Sequence, residues 1–162
     1  MRAEQKPKRD VFVLHARRDR DAVQRELGQL GAVEELQGSD LLLLRLNKEA
    51  ASAKSAWERI RKKLGTGESV QPVLVDDSGT PQYPTGEISV RFRKPPTDAG
   101  LKKFARTHGL RLGSRNEFVP QQAIFELAEA GEKYIPTVVK DVSGDEDVEV
   151  AWANTLSRYE RM

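Results

Sequence analysis

The chain carries the same order of predicted elements twice. Two strand-like runs, Val11–Leu14 and Ile88–Arg93, begin 77 positions apart. Apolar and polar residues alternate in the second run, which is typical of a strand with one buried face. Each run precedes a helical pattern, a short extended piece, an apolar strand, a second helical pattern and a last strand. A repeat of this kind indicates two units of one fold.

Apolar residues at helical spacing predict two helices in each half. Thr97 and Asp98 are expected to cap the first helix of the second half, and Gly31 and Gly109 to end the first helix of each half. Pro136 fits only a first helical turn. The residues that carry the spacing are Val23, Leu27 and Leu30, then Ala53, Trp57, Ile60 and Leu64, then Leu101, Phe104, Ala105 and His108, then Ile135, Val138, Val139 and Val142.

The remaining strands complete the pattern. Leu41–Leu46 and Ala123–Leu127 are predicted as third strands, and Ser69–Val75 and Asp147–Trp152 as fourth strands. Pro72 favours an edge strand, because proline cannot donate a hydrogen bond to a neighbour. The sequence therefore predicts an α+β fold of two tandem ferredoxin-like βαββαβ units, each an antiparallel sheet with its helices on one face.

A segment rich in Gly, Pro and Asp separates the two copies. We assign residues 10–76 to the first unit, 77–86 to a linker and 87–162 to the second unit. Units of this size have marginal cores of their own, so the two are expected to pack on each other.

Composition excludes several classes of protein. The 162 residues include 27 Lys+Arg and 25 Asp+Glu, and neither half is strongly basic, so no nucleic-acid partner is predicted. No stretch approaches the roughly 20 apolar residues of a membrane-spanning helix, so no membrane is expected. With no Cys, a disulfide or a cysteine-ligated metal is excluded. The charged N-terminus lacks a signal-peptide core, which favours a cytoplasmic location.

No catalytic constellation is visible. The two imidazoles, His15 and His108, lie in no metal-binding or triad motif and are interpreted as structural. The acidic run Asp145–Asp147 is interpreted as a solvated turn rather than a cation site. We therefore predict no enzyme activity, no metal and no cofactor.

A family resemblance rests on two segments. Val148–Asn154 resembles the last strand of the propeptides of subtilisin-like serine proteases, and the stretch from Val70 to Phe92 is similar to the join between tandem propeptide-like units. The similarity covers about residues 10–156. It implies a protease inhibitor whose sheet face docks on two parallel helices of the protease, while the C-terminal tail enters the substrate cleft as an added strand.

The chain stops at Met162 without a protease domain, which departs from the family pattern. We therefore expect a free-standing inhibitor, and a candidate folding chaperone, of a separately encoded subtilisin-like protease, similar to PopD-type inhibitors. The partner would be that protease, bound as a heterodimer.

The resemblance also implies contact residues, all in the second unit. Glu117 would cap protease helices from the turn between strands two and three, and Leu156 and Tyr159 would fill pockets. The alternative for the tail is that it frays, as many termini do. The first unit would give support or a second docking surface. The implied set is Glu117, Trp152, Asn154, Leu156, Ser157, Arg158, Tyr159, Glu160, Arg161 and Met162.

A different class remains open, a tandem ferredoxin-like module that binds RNA or a small regulatory ligand. RNA-binding versions stack bases on aromatic residues of the central strands. The aromatic residues available are Phe12, Phe92 and Phe125, and we interpret them as core.

Overall fold

In the part of the chain that the structure describes, eight strands and four helices form an α+β fold in which the strands join one antiparallel sheet. The computed structural model describes residues 5–15, 20–35, 41–48, 51–64, 69–127 and 133–156. In chain order the elements are β1 (Lys6–His15), α1 (Arg20–Leu27), β2 (Gly31–Glu35), β3 (Leu41–Leu46), α2 (Ala53–Leu64), β4 (Ser69–Val75), β5 (Pro81–Phe92), α3 (Asp98–His108), β6 (Leu110–Arg115), β7 (Gln122–Leu127), α4 (Ile135–Ser143) and β8 (Val148–Leu156).

The two halves of the sheet repeat one neighbour order. In the first half β1 lies between β3 and β4, with β2 outside β3. In the second half β5 lies between β7 and β8, with β6 outside β7. A short pairing of β4 with the start of β5 joins them, at Leu74–Gln82 and Val75–Pro81. Pro72 precedes this pairing and lies opposite Phe12 of β1.

The helices of each half pack on one face of its strands. Phe12, Leu14, Leu42 and Leu44 meet α1 and α2 in the first half. Ile88, Val90, Phe92 and Phe125 meet α3 and α4 in the second. Trp57, one of the residues at helical spacing, is only 6% exposed within the first of these cores.

Local signals set the helix ends in the second half. The Thr97 side chain accepts a hydrogen bond from the Gly100 N–H and caps α3, while Gly109 ends it with φ 67°. Pro136 lies in the first turn of α4, as predicted.

Gly31 differs from its prediction as a helix end, because it is the first residue of β2. A Cβ at this position would collide with the Arg45 carbonyl oxygen. Glycine is therefore required by the close approach of β2 to β3 rather than by a helix terminus.

The predicted linker is mostly strand. The Asp76 carboxylate accepts hydrogen bonds from the Ser78 hydroxyl at 2.6 Å and from the N–H groups of Ser78 and Thr80, which closes a turn. These bonds also lower the pKa of Asp76. β5 then begins at Pro81, so its start occupies the linker positions, and its register against β8 shifts between Pro84 and Ile88.

A third apolar cluster covers the other face of the first sheet. Val11, Val13, Leu41, Leu43 and Val73 point away from α1 and α2, yet all are buried. Tyr83 of β5 completes this cluster, and Leu156 of β8 packs against it. The start of β5 and the end of β8 therefore lie over the first sheet, and we call this face the covered face.

Polar contacts fasten the same junction. Gln71 is 2% exposed, and its side chain donates to the Lys133 carbonyl oxygen at 2.6 Å and accepts from the Ile135 N–H at 2.9 Å. The Gln5 side chain likewise donates to the Ala153 carbonyl and accepts from its N–H, both at 3.1 Å. Each glutamine side chain thus bonds to one carbonyl and one N–H of the other half, as a neighbouring strand would.

None of the helices that the structure describes is long and apolar enough to cross a membrane.

We predict that Gln71→Ala lowers the free energy of unfolding by about 1–3 kcal/mol, because it leaves a partly buried carbonyl and a buried N–H without partners. Urea denaturation followed by circular dichroism measures the change. Gln24→Ala on the exposed side of α1 is the matched control and should stay within about 0.5 kcal/mol of wild type. Equal midpoints for the two variants would contradict this role of Gln71.

Candidate protein-binding face of the second half

The second sheet has a face opposite α3 and α4, which we call the distal face. Ile88, Val90 and Phe92 point to the helices, so the alternate residues Ser89 and Arg91 point to the distal face. Ser89 pairs across the strands with Trp152 on one side and Ile124 on the other. A row of Trp152, Ser89 and Ile124 thus crosses the middle of the distal face.

Asn154 organises one end of this face. Its side-chain oxygen accepts a hydrogen bond of 2.7 Å from the hydroxyl of Ser89, which is 4% exposed. Its backbone carbonyl accepts from the Thr85 hydroxyl at 3.3 Å. Asn154, predicted from the resemblance as a contact residue, therefore also fixes the course of β8 against β5.

Charged residues surround the row. Arg91 lies 3.7 Å from Glu149, and Arg111 lies 3.2 Å from Glu126. All four side chains are more than 40% exposed, so these pairs add little stability in water. They give the distal face both signs of charge, which is more typical of a surface that contacts a protein than of one that binds a polyanion such as a nucleic acid.

The turn between β6 and β7 extends beyond one end of the sheet. Glu117, the predicted helix-capping acid, is exposed there. Phe118 follows it and is 92% exposed. Sequence reasoning missed Phe118, although an aromatic residue beside Asn116 and Glu117 in a polar turn was a visible signal.

The end of β8 is held within the chain. Leu156 pairs with Tyr83 along the backbone, and its side chain packs against the covered face of the first sheet. This places Leu156, one of the predicted pocket-filling residues, in an internal contact. The other predicted tail residues, Ser157, Arg158, Tyr159, Glu160, Arg161 and Met162, lie outside the residues that the structure describes.

The two imidazoles make structural contacts. His108 lies 3.0 Å from the Asp145 carboxylate, and this hydrogen bond is the main reason that the pKa of Asp145 is lowered. His15 lies 3.5 Å from the Pro84 carbonyl oxygen, at the junction of the halves. Across the described ranges no serine hydroxyl is hydrogen-bonded to either ring, and no three acidic or histidine side chains group as a metal site.

The aromatic residues considered for base stacking are buried. Phe12 and Phe125 are 0% exposed and Phe92 is 3% exposed. All three point toward the helices, so their rings cannot stack on an RNA base. Their interpretation as core residues is confirmed.

A cleft of about 600 Å³ lies where α2 meets the end of α3 and the start of α4. Trp57 and Tyr134 line it, with their ring centroids 5.2 Å apart. Burial raises the pKa of Tyr134 to about 12, so its hydroxyl stays protonated. The cleft has an excess of positive charge, which favours anions. Its lining includes three cationic side chains and one carboxylate, namely Lys54, Arg106, Lys133 and Asp141.

Comparison with models of known protein families and with curated proteins found no match to the chain.

We predict that the stability of the protein falls on mild acidification in a way that depends on His15. Burial disfavours the charged imidazole and lowers its pKa below 6.5 in the folded state, more than the Pro84 carbonyl raises it. The unfolded chain therefore binds the proton first as the pH falls, and the stability present above pH 6.5 is lost below it.

The measurement is the free energy of unfolding of wild type and His15→Gln between about pH 8 and about pH 5. The wild type should lose more stability than the variant over this range. Parallel pH profiles would show that His15 titrates alike in the folded and unfolded chains.

Proposed function

We propose that the chain inhibits a subtilisin-like serine protease in trans, in the way that propeptides inhibit the protease domains they accompany. The observation that carries the proposal is the form of the second half. Four strands in the order β6-β7-β5-β8 hold both helices on one face, and the last strand runs along an edge of the distal face. These are the two surfaces that a propeptide-like inhibitor uses.

The finer fold assignment belongs to the same proposal. In a ferredoxin-like βαββαβ unit the first strand lies between the third and the fourth, and the second strand lies outside the third. Both halves have this neighbour order, which supports two tandem ferredoxin-like units. The units would share the pairing of β4 with β5 and the junction at Gln71.

Docking is assigned to the second half because the first sheet already has both faces packed. Tyr83 and Leu156 close its covered face, which a protease would otherwise need to reach. On the second sheet the apolar residue Ile124 remains partly accessible on the distal face. The first half then serves as the support that holds β5 and β8.

The segment after Leu156 supplies the second contact in this proposal. β8 ends in a fixed position, because its backbone pairs with Tyr83 and its last side chain is packed. Residues 157–162 would then leave the sheet and bind the substrate cleft as an added strand, through main-chain hydrogen bonds. Tyr159 would fill a pocket there.

Glu117 would give a third contact. Its carboxylate is exposed in the β6–β7 turn and can approach the N-terminus of a protease helix, which favours a negative charge. A partner that binds only the folded protease also stabilises it, which is the physical basis for a chaperone role.

The test uses the purified full chain and each purified subtilisin-like protease encoded in the same genome. We expect one protease to lose its peptidase activity as the chain is added in equimolar amount, and the two to elute together as a complex. If an excess of the chain leaves every such protease fully active, the proposed function is wrong.

Removal of residues 157–162 separates the tail contact from the sheet contact. We predict an inhibition constant at least about tenfold higher, which corresponds to a loss of about 1.4 kcal/mol, because the added strand is lost. The melting temperature should stay unchanged, since the deletion begins after the packed Leu156. Equal inhibition by the truncated and full chains would overturn the tail mechanism alone.

The sheet contact is tested by Ile124→Arg. A buried, unpaired charge in the interface should raise the inhibition constant by about tenfold or more. Gln24→Arg places the same charge on α1 of the first half and should inhibit like wild type. Unfolding curves for both variants verify the fold, and equal inhibition by the two would exclude the distal face as the docking surface.

A further inference from the structure

Phe118 is the most exposed large apolar side chain among the residues whose structure is described. It is 92% exposed, and the next, Leu112, is 37% exposed. Phenylalanine gains more from burial than most side chains, and aromatic residues are frequent anchors of protein interfaces. A phenylalanine held in water at the tip of a turn therefore indicates a contact surface.

The turn that carries Phe118 is fixed by its own hydrogen bonds. The Asn116 side-chain oxygen accepts from the N–H of Phe118 at 2.8 Å and from that of Val119 at 3.0 Å. The Asn116 N–H donates to the Gln122 carbonyl at 3.0 Å and closes the base of the turn. Because the backbone is already ordered, little conformational entropy is lost when Phe118 binds.

Arg115 ties this turn to the segment before α3. Its guanidinium donates to the carbonyl of Pro96 at 2.6 Å, to the carbonyl of Pro120 at 3.1 Å and to the Asp98 carboxylate at 3.2 Å. The Arg115 guanidinium is therefore occupied by partners within the protein. Glu117 is left as the exposed charge beside Phe118.

The position of the turn defines the size of the partner. β7 runs away from the turn, from Gln122 to Leu127, and β8 runs in the same direction to its end at Leu156, because both strands are antiparallel to β5. The turn and the end of β8 therefore lie at opposite ends of the distal face. Six strand residues span roughly 20 Å, so one partner that touches both ends must be a macromolecule.

We propose that Phe118 is an anchor residue that fills an apolar pocket on the surface of the protease, next to the positive group that receives Glu117. This inference rests on the proposed function and adds a contact that the family resemblance does not supply. A membrane fits less well, because a carboxylate adjoins the single aromatic residue and the second half of the chain has as many acidic as basic residues.

The test measures inhibition of the protease found in the function experiment by full-length Phe118→Ala. We expect the inhibition constant to rise roughly 30-fold, the effect of a typical interface anchor, with an unchanged melting temperature. Phe118→Leu should recover part of the loss. Leu112→Ala removes the other exposed apolar side chain, on β6, and should inhibit like wild type.

The outcomes separate the two ideas. If wild type inhibits the protease and Phe118→Ala inhibits equally well, the anchor is wrong and the proposed function stands. If wild type inhibits no protease, both are wrong. Flotation with vesicles of phosphatidylcholine and phosphatidylserine that is lost in Phe118→Ala would assign Phe118 to a lipid surface and also overturn the anchor.

Discussion

Burial of the covered face of the first sheet is the interaction on which the remaining structure depends. An antiparallel sheet with helices on one side usually leaves its other side in water. Here that other side is strongly apolar, and exposing Val13, Leu41 and Leu43 together would create a large hydrophobic patch. Tyr83 and Leu156 come from the second half and remove this patch from water. The two halves are therefore held together by a core that neither half completes alone.

This constraint determines where each end of the second half can go. β5 must begin over the first sheet, so the turn at Asp76 returns the chain directly onto β4 instead of into a flexible connection. β8 must end over the same sheet, so Gln5 holds its backbone at Ala153 and Tyr83 pairs with its last residue, Leu156. In the support role that we propose, the first half fixes the end of β8 and thereby the position at which residues 157–162 would begin.

Sequence patterns predicted the structural features that depend on residues close together in the sequence. The Thr97 cap and the Gly109 terminus act within one or two turns, and the structure contains both. Helical spacing predicted the four helices, although Leu30 lies beyond the end of α1 at Leu27. Contacts between distant segments were missed. The sequence predicts that Leu156 contacts a partner, but Leu156 packs instead on a cluster assembled from four other strands, β1, β3, β4 and β5. The local sequence predicts Gly31 as a helix end. Glycine is needed there for a different reason, because the Arg45 backbone on a neighbouring strand leaves no space for a side chain. Exposure of Phe118 likewise depends on how the turn projects from the sheet.

The mixed character of the distal face limits how a partner can bind it. Ion pairs at Arg91–Glu149 and Arg111–Glu126 keep the face compatible with water when no partner is present, and they must be desolvated or kept at the rim when one binds. Most of the binding free energy must then come from a few apolar positions and from main-chain hydrogen bonds. Ile124 at the centre and Phe118 at the end meet that need, because each can be buried without removing a charge from water. In the proposed complex, the placement of these contacts would determine which partner is recognised, with the charged pairs arranged around them.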